Sequence, residues 1–581
     1  MFKGGNHRLR HAASFFLPSP NRKPNELSAG IWYFFSMKKN TSVSRRDFLQ
    51  FMGASAVTLS LAGSAGYLLQ ACSRIATSPG DKIFPQHPFT ALAPSAEDTV
   101  RLAQGLRQNF VAIWGDELKE GVRFGYNNDF LAFFPLDGNK KDGLLCVNHE
   151  TPHNVFVSNW VDPSVPKTKA QVEQEMECTG VSIVHIREGK TGEWSVVKGS
   201  SYNRPVNGKS KIPFVSERAI EGSKVALGTL GNCAGGVTPW GTYLTCEENY
   251  GMFYGESVHR DGKKTRLPAN EYNWDTHFPQ PPEHYGWVVE IVPQTGKAKK
   301  LTALGRFSHE GATPVRAKNG IPVVYMGDDA NDEFVYKFIS ASRDNLEKGQ
   351  LFAADTVNGR WLELSWSKQK ILREKFRDQT EVLIRAREAA RLLGATPQNR
   401  PEDVEICPRT GAIFVALTNN KKRGDLFGQI LKIEEKNGDY LATEFKSSTF
   451  LAGGTATGFA CPDNMAFDLK GNLWVTTDMS GSAMNKDEYA PFMNNGLYFI
   501  PMEGENAGKA SLVATAPTDA EFTGPTFSPD GRTLFLSVQH PGERSTSATN
   551  LTSTWPHGGN SIPRPAVLAI SGPLLDTIVG A

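Results

Sequence analysis

Beyond residue 97, short apolar runs alternate with polar, glycine-bearing turns, and one pattern returns six times. Leu144-Leu145-Cys146-Val147 runs into Asn148-His149-Glu150. Asn232-Cys233-Ala234-Gly235-Gly236 leads through Tyr243-Leu244-Thr245 to Glu247-Glu248. His309-Glu310-Gly311-Ala312 leads through Val323-Val324-Tyr325-Met326 to Asp328-Asp329. Arg400-Pro401-Glu402-Asp403 leads through Ile413-Phe414-Val415-Ala416-Leu417 to Thr418-Asn419-Asn420. Cys461-Pro462-Asp463-Asn464 leads through Leu473-Trp474-Val475-Thr476-Thr477 to Asp478. Phe522-Thr523-Gly524-Pro525 leads through Thr533-Leu534-Phe535-Leu536 to Gln539-His540. Each copy holds a polar or acidic loop, a short strand, a glycine-bearing turn and a second alternating strand, which is the pattern of a β-hairpin.

Successive copies begin roughly 60 to 90 residues apart, longer than a minimal propeller blade and with room for outer strands. Six copies predict an all-β chain folded as a six-bladed β-propeller, which limits exposed sheet edges by radial repetition. Two stretches break the pattern. Residues 251–285 are rich in Tyr, Trp, Pro and His without a period, and read as a long loop. Residues 367–396 carry Ile371, Phe376, Val382, Leu383, Ala389, Leu392 and Leu393 at helical spacing, and read as a helix. The arginines of that helix, Arg385, Arg387 and Arg391, read as a solvated face, with attraction of an anionic substrate as the alternative.

If each unit is a blade, the loops that open the inner strands converge on the central axis. Glu150, Cys233, Glu310, Glu402 and Asp463 then face one another at the channel mouth. Any one of them alone is an ordinary turn residue. Gathered together, carboxylates repel, and they stay ionised only with cations between them. The glycines after Cys233 let the backbone approach an ion closely. Cys246, Cys407 and Cys461 read as buried core residues.

The formal net charge of +2 excludes the strong basic excess of a nucleic-acid-binding surface. A hydrophobic fraction of 39% suits a globular core, and no apolar run beyond residue 80 approaches the ~20 residues of a membrane span. Seven cysteines across 581 residues do not make a disulfide framework. The N-terminal region differs in kind. Arg45-Arg46 with Phe48-Leu49, followed by a Gly/Ala-rich apolar stretch, match a twin-arginine export signal. Met37-Lys38-Lys39 is a natural start for it, which makes residues 1–36 an upstream extension and 37–72 the signal. Leu69-Gln70-Ala71-Cys72 resembles a lipoprotein cleavage box with Gln70 an atypical occupant, so export with or without a lipid on Cys72 fits. Residues 73–96 are Pro/Ser-rich and read as a linker to a domain over 97–581. A periplasmic or extracellular location is expected, reached by the twin-arginine machinery in the folded state.

Several of these segments together resemble the PhoX alkaline phosphatase family. They are Phe124 to Phe130, Val147 to Glu150, Asn232 to Asn249, Gly305 to Glu310, Tyr325 to Phe338, Arg400 to Asp403, Pro462 to Asn464 and Gln539 to Gly542. The resemblance spans about residues 97–570 and implies an exported hydrolase of phosphate esters, built on a six-bladed propeller around ferric iron (Fe3+) and calcium (Ca2+). It makes Cys233 an iron ligand, Glu402 an acidic metal ligand and Arg400 the arginine that holds phosphate. Glu247, Glu310 and Asp463 are the further metal ligands chosen here, while Asn148 and Glu150 receive no role. Soft thiolate suits iron and carboxylate oxygens suit calcium. With no Ser-His-Asp order in the chain, the resemblance favours attack on phosphorus by a metal-bound oxygen. A calcium-dependent lactonase- or phosphotriesterase-like propeller is the nearest alternative, and a non-catalytic binding propeller the next. A closed propeller gives no evident reason to pair, so a monomer is expected.

Overall fold

The alternating runs fold into six largely antiparallel sheets arranged as propeller blades, with one parallel pairing at the edge of the second blade, in a computed structural model that describes residues 90–260 and 263–580. The inner strands, in chain order, are Asn128–Leu136, Asn232–Val237, His309–Arg316, Pro401–Ile406, Pro462–Phe467 and Glu521–Phe527. Each touches the next, and the last touches the first, so the ring closes around one axis. The second strand of five blades is an unbroken buried run, as in Tyr243–Glu247, Ile413–Leu417 and Leu473–Thr477, and that of the first blade is buried from Gly143 onward. That is why these segments read in sequence as continuous apolar strands. The core is therefore distributed between neighbouring blades, with Leu244, Val324 and Phe338 in one cluster and Trp474, Leu536 and Leu568 in another.

The ends of the chain lace the ring shut. Arg107–Ile113 pairs antiparallel with Ala566–Ser571 and becomes the outer strand of the sixth blade. Arg101–Leu102 adds to Ser511–Thr515 at the edge of the fifth. The pairing covers sheet edges that would otherwise be open. Leu92 also donates its N–H to the Leu512 carbonyl at 2.9 Å, so the end of the segment read as a linker packs on the fifth blade. The proposed signal, Cys72 and most of the 73–96 linker lie outside the described residues.

One irregularity recurs in every blade. Each inner strand carries a β-bulge near its start, between Asn128 and Leu131, Asn232 and Gly235, Glu310 and Thr313, Pro401 and Val404, Pro462 and Met465, and Thr523 and Thr526. A bulge inserts one residue, bends the strand and re-aims a side chain. In four blades the first bulged residue carries chemistry: Asp129, Cys233, Glu402 and Asp463. In the other two it is a glycine. Gly311 has φ +81° and a Cβ there would lie 2.8 Å from Asp403 Oδ1; Gly524 has φ +55° and would meet the Asp129 carbonyl at 2.7 Å. In two blades the second bulged residue ties blade to blade: Asp403 accepts the Met465 N–H at 2.9 Å, and Asn464 accepts the Gly524 N–H at 2.7 Å.

Both insertions are more structured than their sequences suggest. The 367–396 segment is three short helices, Lys370–Lys375, Gln379–Ile384 and Ala386–Leu393. The break falls where Asp378 caps the second helix by accepting the Glu381 N–H at 2.8 Å. The 251–285 segment is not an open loop. It holds a hairpin of Glu256–Arg260 with Lys263–Leu267, and its aromatics Phe253, Tyr254, Tyr272, Trp274 and Tyr285 form a buried cluster.

Candidate active site

The bulges deliver their side chains to one axial cavity of about 810 Å³. Cys233, Glu402, Asp463 and Arg400 all line it. Glu310 lies beneath them. Three groups of potential ligand atoms, each within 4.8 Å of one another, run around the axis: Asp129, Glu150 and Cys233; Cys233, Glu248 and Glu310; Glu310, Glu402 and Asp463. Cys233 and Glu310 are each shared by two groups, so the three form one continuous cluster.

Glu247 is the exception among the residues chosen from sequence. Its carboxylate points away from the axis, accepting from the Lys300 ammonium at 2.5 Å and the Trp287 N–H at 3.1 Å. Its neighbour Glu248 points the opposite way, into the cavity. The reason is strand geometry: successive side chains at a strand end face opposite sides, and a choice off by one residue reverses the face. Sequence reading also passed over Asp129, although it stands at the same offset in its strand as Cys233, Glu402 and Asp463. Glu150, which received no role, belongs to the first group, and Asn148 supports Cys233. The Asn148 amide donates to the carbonyls of Cys233 and Ala234, while its own oxygen accepts from Tyr243 at 2.8 Å and Thr245 at 2.7 Å.

The electrostatics ask for cations. Burial pushes Asp129 up to about 7, and the adjacent Glu150 adds to the rise. Burial, then Glu402 and Glu248, drive Glu310 far above the usual carboxylate range. Glu248, Glu402 and Asp463 move the same way, again with burial first. The Cys233 thiol is raised by burial and then by Asp129 and Glu310; it donates to Asp129 Oδ2 at 3.0 Å. Both carboxylate oxygens of Glu310, and Oδ1 of Asp129, are buried with no hydrogen-bond partner. Buried acceptors without donors are costly, and metal ions relieve that cost. The donor set of carboxylates and one thiol therefore fits a polynuclear cation site.

Arg400 stands at the rim with φ +53°, a strained conformation for a non-glycine residue. Asp329 grips it through Nε and Nη2, both at 2.8 Å, and Glu402 lies 2.8 Å from Nη2. Nη1 has only a 3.4 Å contact to Asp478, which leaves that arm for an incoming ligand. The helix arginines are already paired: Arg387 with Asp328, Arg385 with Glu381 and Glu388, and Arg391 with Glu333. Arg387 and Arg391 anchor the insertion to the third blade, while Arg385 pairs within the insertion. His540 completes the rim, held between the Asp519 carbonyl at 2.9 Å and Glu521 at 3.0 Å.

Fold and cavity together define a class, a six-bladed propeller whose axial site is built for metal ions and an anionic ligand. Residues 87–542 match the family model for alkaline phosphatase PhoX, and the chain belongs to that family. Its fold is similar to that of Pseudomonas fluorescens PhoX, solved in complex with vanadate as a transition-state analogue. The TM-score is 0.73 at 31% identity, over 83% of this chain and 98% of that one. A protein of unknown function from Dyadobacter fermentans matches at TM-score 0.36 and 10% identity, over 81% of this chain and all of that one. A putative 6-phosphogluconolactonase from Bacteroides uniformis matches at 0.29 and 10%, over 75% and 87%. Similarity that low supports no functional reading. No curated protein matches the chain. Membership of the family makes the chain a metal-dependent hydrolase of phosphate esters.

Proposed function

We propose that this protein is an exported alkaline phosphatase whose channel holds ferric iron at Cys233 and calcium among the carboxylates, and that it releases phosphate from esters outside the cytoplasm. The observation that carries the reading is the cluster joined through Cys233 and Glu310, with the Glu310 oxygens buried and unpartnered. Asp129, Glu150, Cys233, Glu248, Glu310, Glu402 and Asp463 would hold the ions. When bound, such ions neutralise phosphoryl oxygens and acidify a water molecule. The chain's own part is positioning. Asn148 fixes the backbone on either side of the Cys233–Ala234 bond, and Thr418 donates to Glu402 at 2.7 Å. Arg400, gripped by Asp329, offers a permanently charged fork to the phosphoryl oxygens, and its fixed geometry lowers the cost of orienting them. The Pseudomonas fluorescens relative, solved with vanadate as a transition-state analogue, supports phosphoryl chemistry for this chain.

The Arg45-Arg46 signal supports export of a protein folded around its metals, in periplasmic or extracellular form and as a monomer, with Cys72 as a possible lipid anchor. The test pairs elemental analysis with phosphate release from p-nitrophenyl phosphate, for the parent and Cys233→Ala. Iron and calcium in the parent, with iron and activity both lost from the variant, support the reading. Calcium alone, with activity indifferent to Cys233, removes iron from it.

A further inference from the structure

Beside Arg400 a second, smaller cavity of about 260 Å³ adjoins the channel, and the two share Arg400, Asp478 and Ser480. Their charges are opposite. Carboxylates in the main cavity far outnumber its two arginines, Arg400 and Arg544. The side cavity is lined by Arg400, Lys421 and Lys422, with Asp478 as its one acid.

The contrast arises where the radial repeat is broken. After their second strands, other blades place Glu150, Glu248, Asp329 and Asp478 toward the axis. Blade four instead runs Thr418-Asn419-Asn420 into Lys421-Lys422-Arg423. Asn420 caps the turn that follows by accepting the Arg423 N–H at 3.3 Å, and Arg423 is paired with Asp332 at 2.5 Å. Among the described residues Lys421 and Lys422 have no carboxylate partner. Lys421 lies over the Tyr489 ring, 5.1 Å from its centre, which holds its ammonium at the cavity wall.

We infer that this side cavity receives a second phosphoryl group carried on the alcohol portion of the substrate, while the scissile phosphoryl group lies at Arg400. The inference rests on the phosphatase reading above and adds the substrate class: bisphosphorylated small molecules. With the ions bound, Glu271 and Glu543 would still leave negative charge on the channel wall against a second dianion, whereas Lys421 and Lys422 offer it charge-assisted hydrogen bonds. Arg400, common to both cavities, divides the two phosphoryl groups.

The test uses the metal-loaded full chain with two substrates of one sugar, fructose 1,6-bisphosphate and fructose 6-phosphate. The parent should prefer the bisphosphate. In Lys421→Met/Lys422→Met the ratio of the two kcat/KM values should fall on the order of tenfold, through KM for the bisphosphate more than through kcat. Lys421→Arg/Lys422→Arg should retain the preference, which separates charge from local structure. A ratio unchanged in the Met variant overturns the inference and leaves the phosphatase reading standing. A parent that hydrolyses neither sugar phosphate while cleaving p-nitrophenyl phosphate overturns it too. A parent inactive on all three fails as a phosphatase, and the inference falls with it.

Discussion

Buried carboxylates occur in two settings in this protein, away from the channel and around it, and only the second forms a candidate ligand set. Away from the channel Lys300 meets Glu247 at 2.5 Å, Lys337 meets Glu435 at 2.8 Å and Lys167 meets Glu175 at 2.8 Å, with all six side chains almost wholly buried. Further donors complete each pair, such as Trp361 on Glu435 and Trp274 on Glu175. Around the channel the carboxylates are as deeply buried but crowd one another. The chain lines the channel with only two guanidiniums, Arg400 and Arg544, the latter held by Asp519, and leaves the Glu310 oxygens unpartnered. Burial alone therefore does not mark a metal ligand. A buried carboxylate becomes a candidate where the chain withholds both counter-charge and hydrogen-bond donors, as it does at Glu310.

Glu310→Gln should give the largest break in that contrast. It keeps the shape and removes the charge shared by two of the three ligand groups. Activity on p-nitrophenyl phosphate should fall at least about a hundredfold, as expected for losing an electrostatic element of a preorganised site, and bound metal should fall with it. In chelated protein the sign reverses. The amide removes a charge that burial and neighbouring carboxylates disfavour, so the metal-free variant should melt no lower than the metal-free parent at alkaline pH. A variant that keeps its metal and activity would take Glu310 out of the site.

Glu247→Gln should do the opposite, costing stability before it costs chemistry. It leaves the Lys300 ammonium buried without a counter-charge, facing a neutral amide, the His284 carbonyl at 2.9 Å and the Tyr285 ring. Removing one partner of such a pair typically costs about 3–5 kcal/mol. Denaturant unfolding should show that loss, while the folded fraction keeps its metal. Glu247→Gln/Lys300→Met should recover part of it, because the unpaired charge is then gone. Loss of metal at unchanged stability would return Glu247 to the ligand set.

Asp329→Asn sharpens the comparison at its boundary, where a channel carboxylate does have a partner. Asp329 aims Arg400 through two 2.8 Å contacts. Losing that grip should raise KM for p-nitrophenyl phosphate roughly tenfold, the scale of one charge-assisted hydrogen bond, with metal content unchanged. An equal fall in kcat with lost metal would make Asp329 a ligand instead.

The six blades and most of the channel were legible because the repeat is local: a polar loop, a strand, a turn, a strand. The channel-facing position was readable at Cys233, Glu310, Glu402 and Asp463, where a short motif marks the strand start. It was not readable at the Glu247–Glu248 step, where both residues are acidic and a one-residue shift decides which face each takes. Lys300, which settles the matter, lies 53 residues away in sequence. Asp129 carried a signal that went unused, its equivalence to the other first bulged residues. The closure of the ring by Arg107–Ile113 on Ala566–Ser571 had no local signal, because its partners are at opposite ends of the chain.

The smallest expected effect tests the surface counterpart of the buried pairs. Arg391 meets Glu333 at 2.7 Å from the last helix of the insertion, with the arginine side chain 56% exposed. An exposed pair gains little because water screens it, and such pairs contribute at most about 1 kcal/mol. Arg391→Ala should therefore shift the denaturation midpoint only slightly and leave kcat/KM for p-nitrophenyl phosphate within twofold at both low and high salt. The salt comparison carries the decision. An arginine that drew anionic substrates toward the channel would make the parent faster than the variant at low salt, with the difference vanishing as salt rises. Equal rates throughout would leave Arg391 as an anchor of the insertion, and Arg400, Lys421 and Lys422 as the cations that meet substrate.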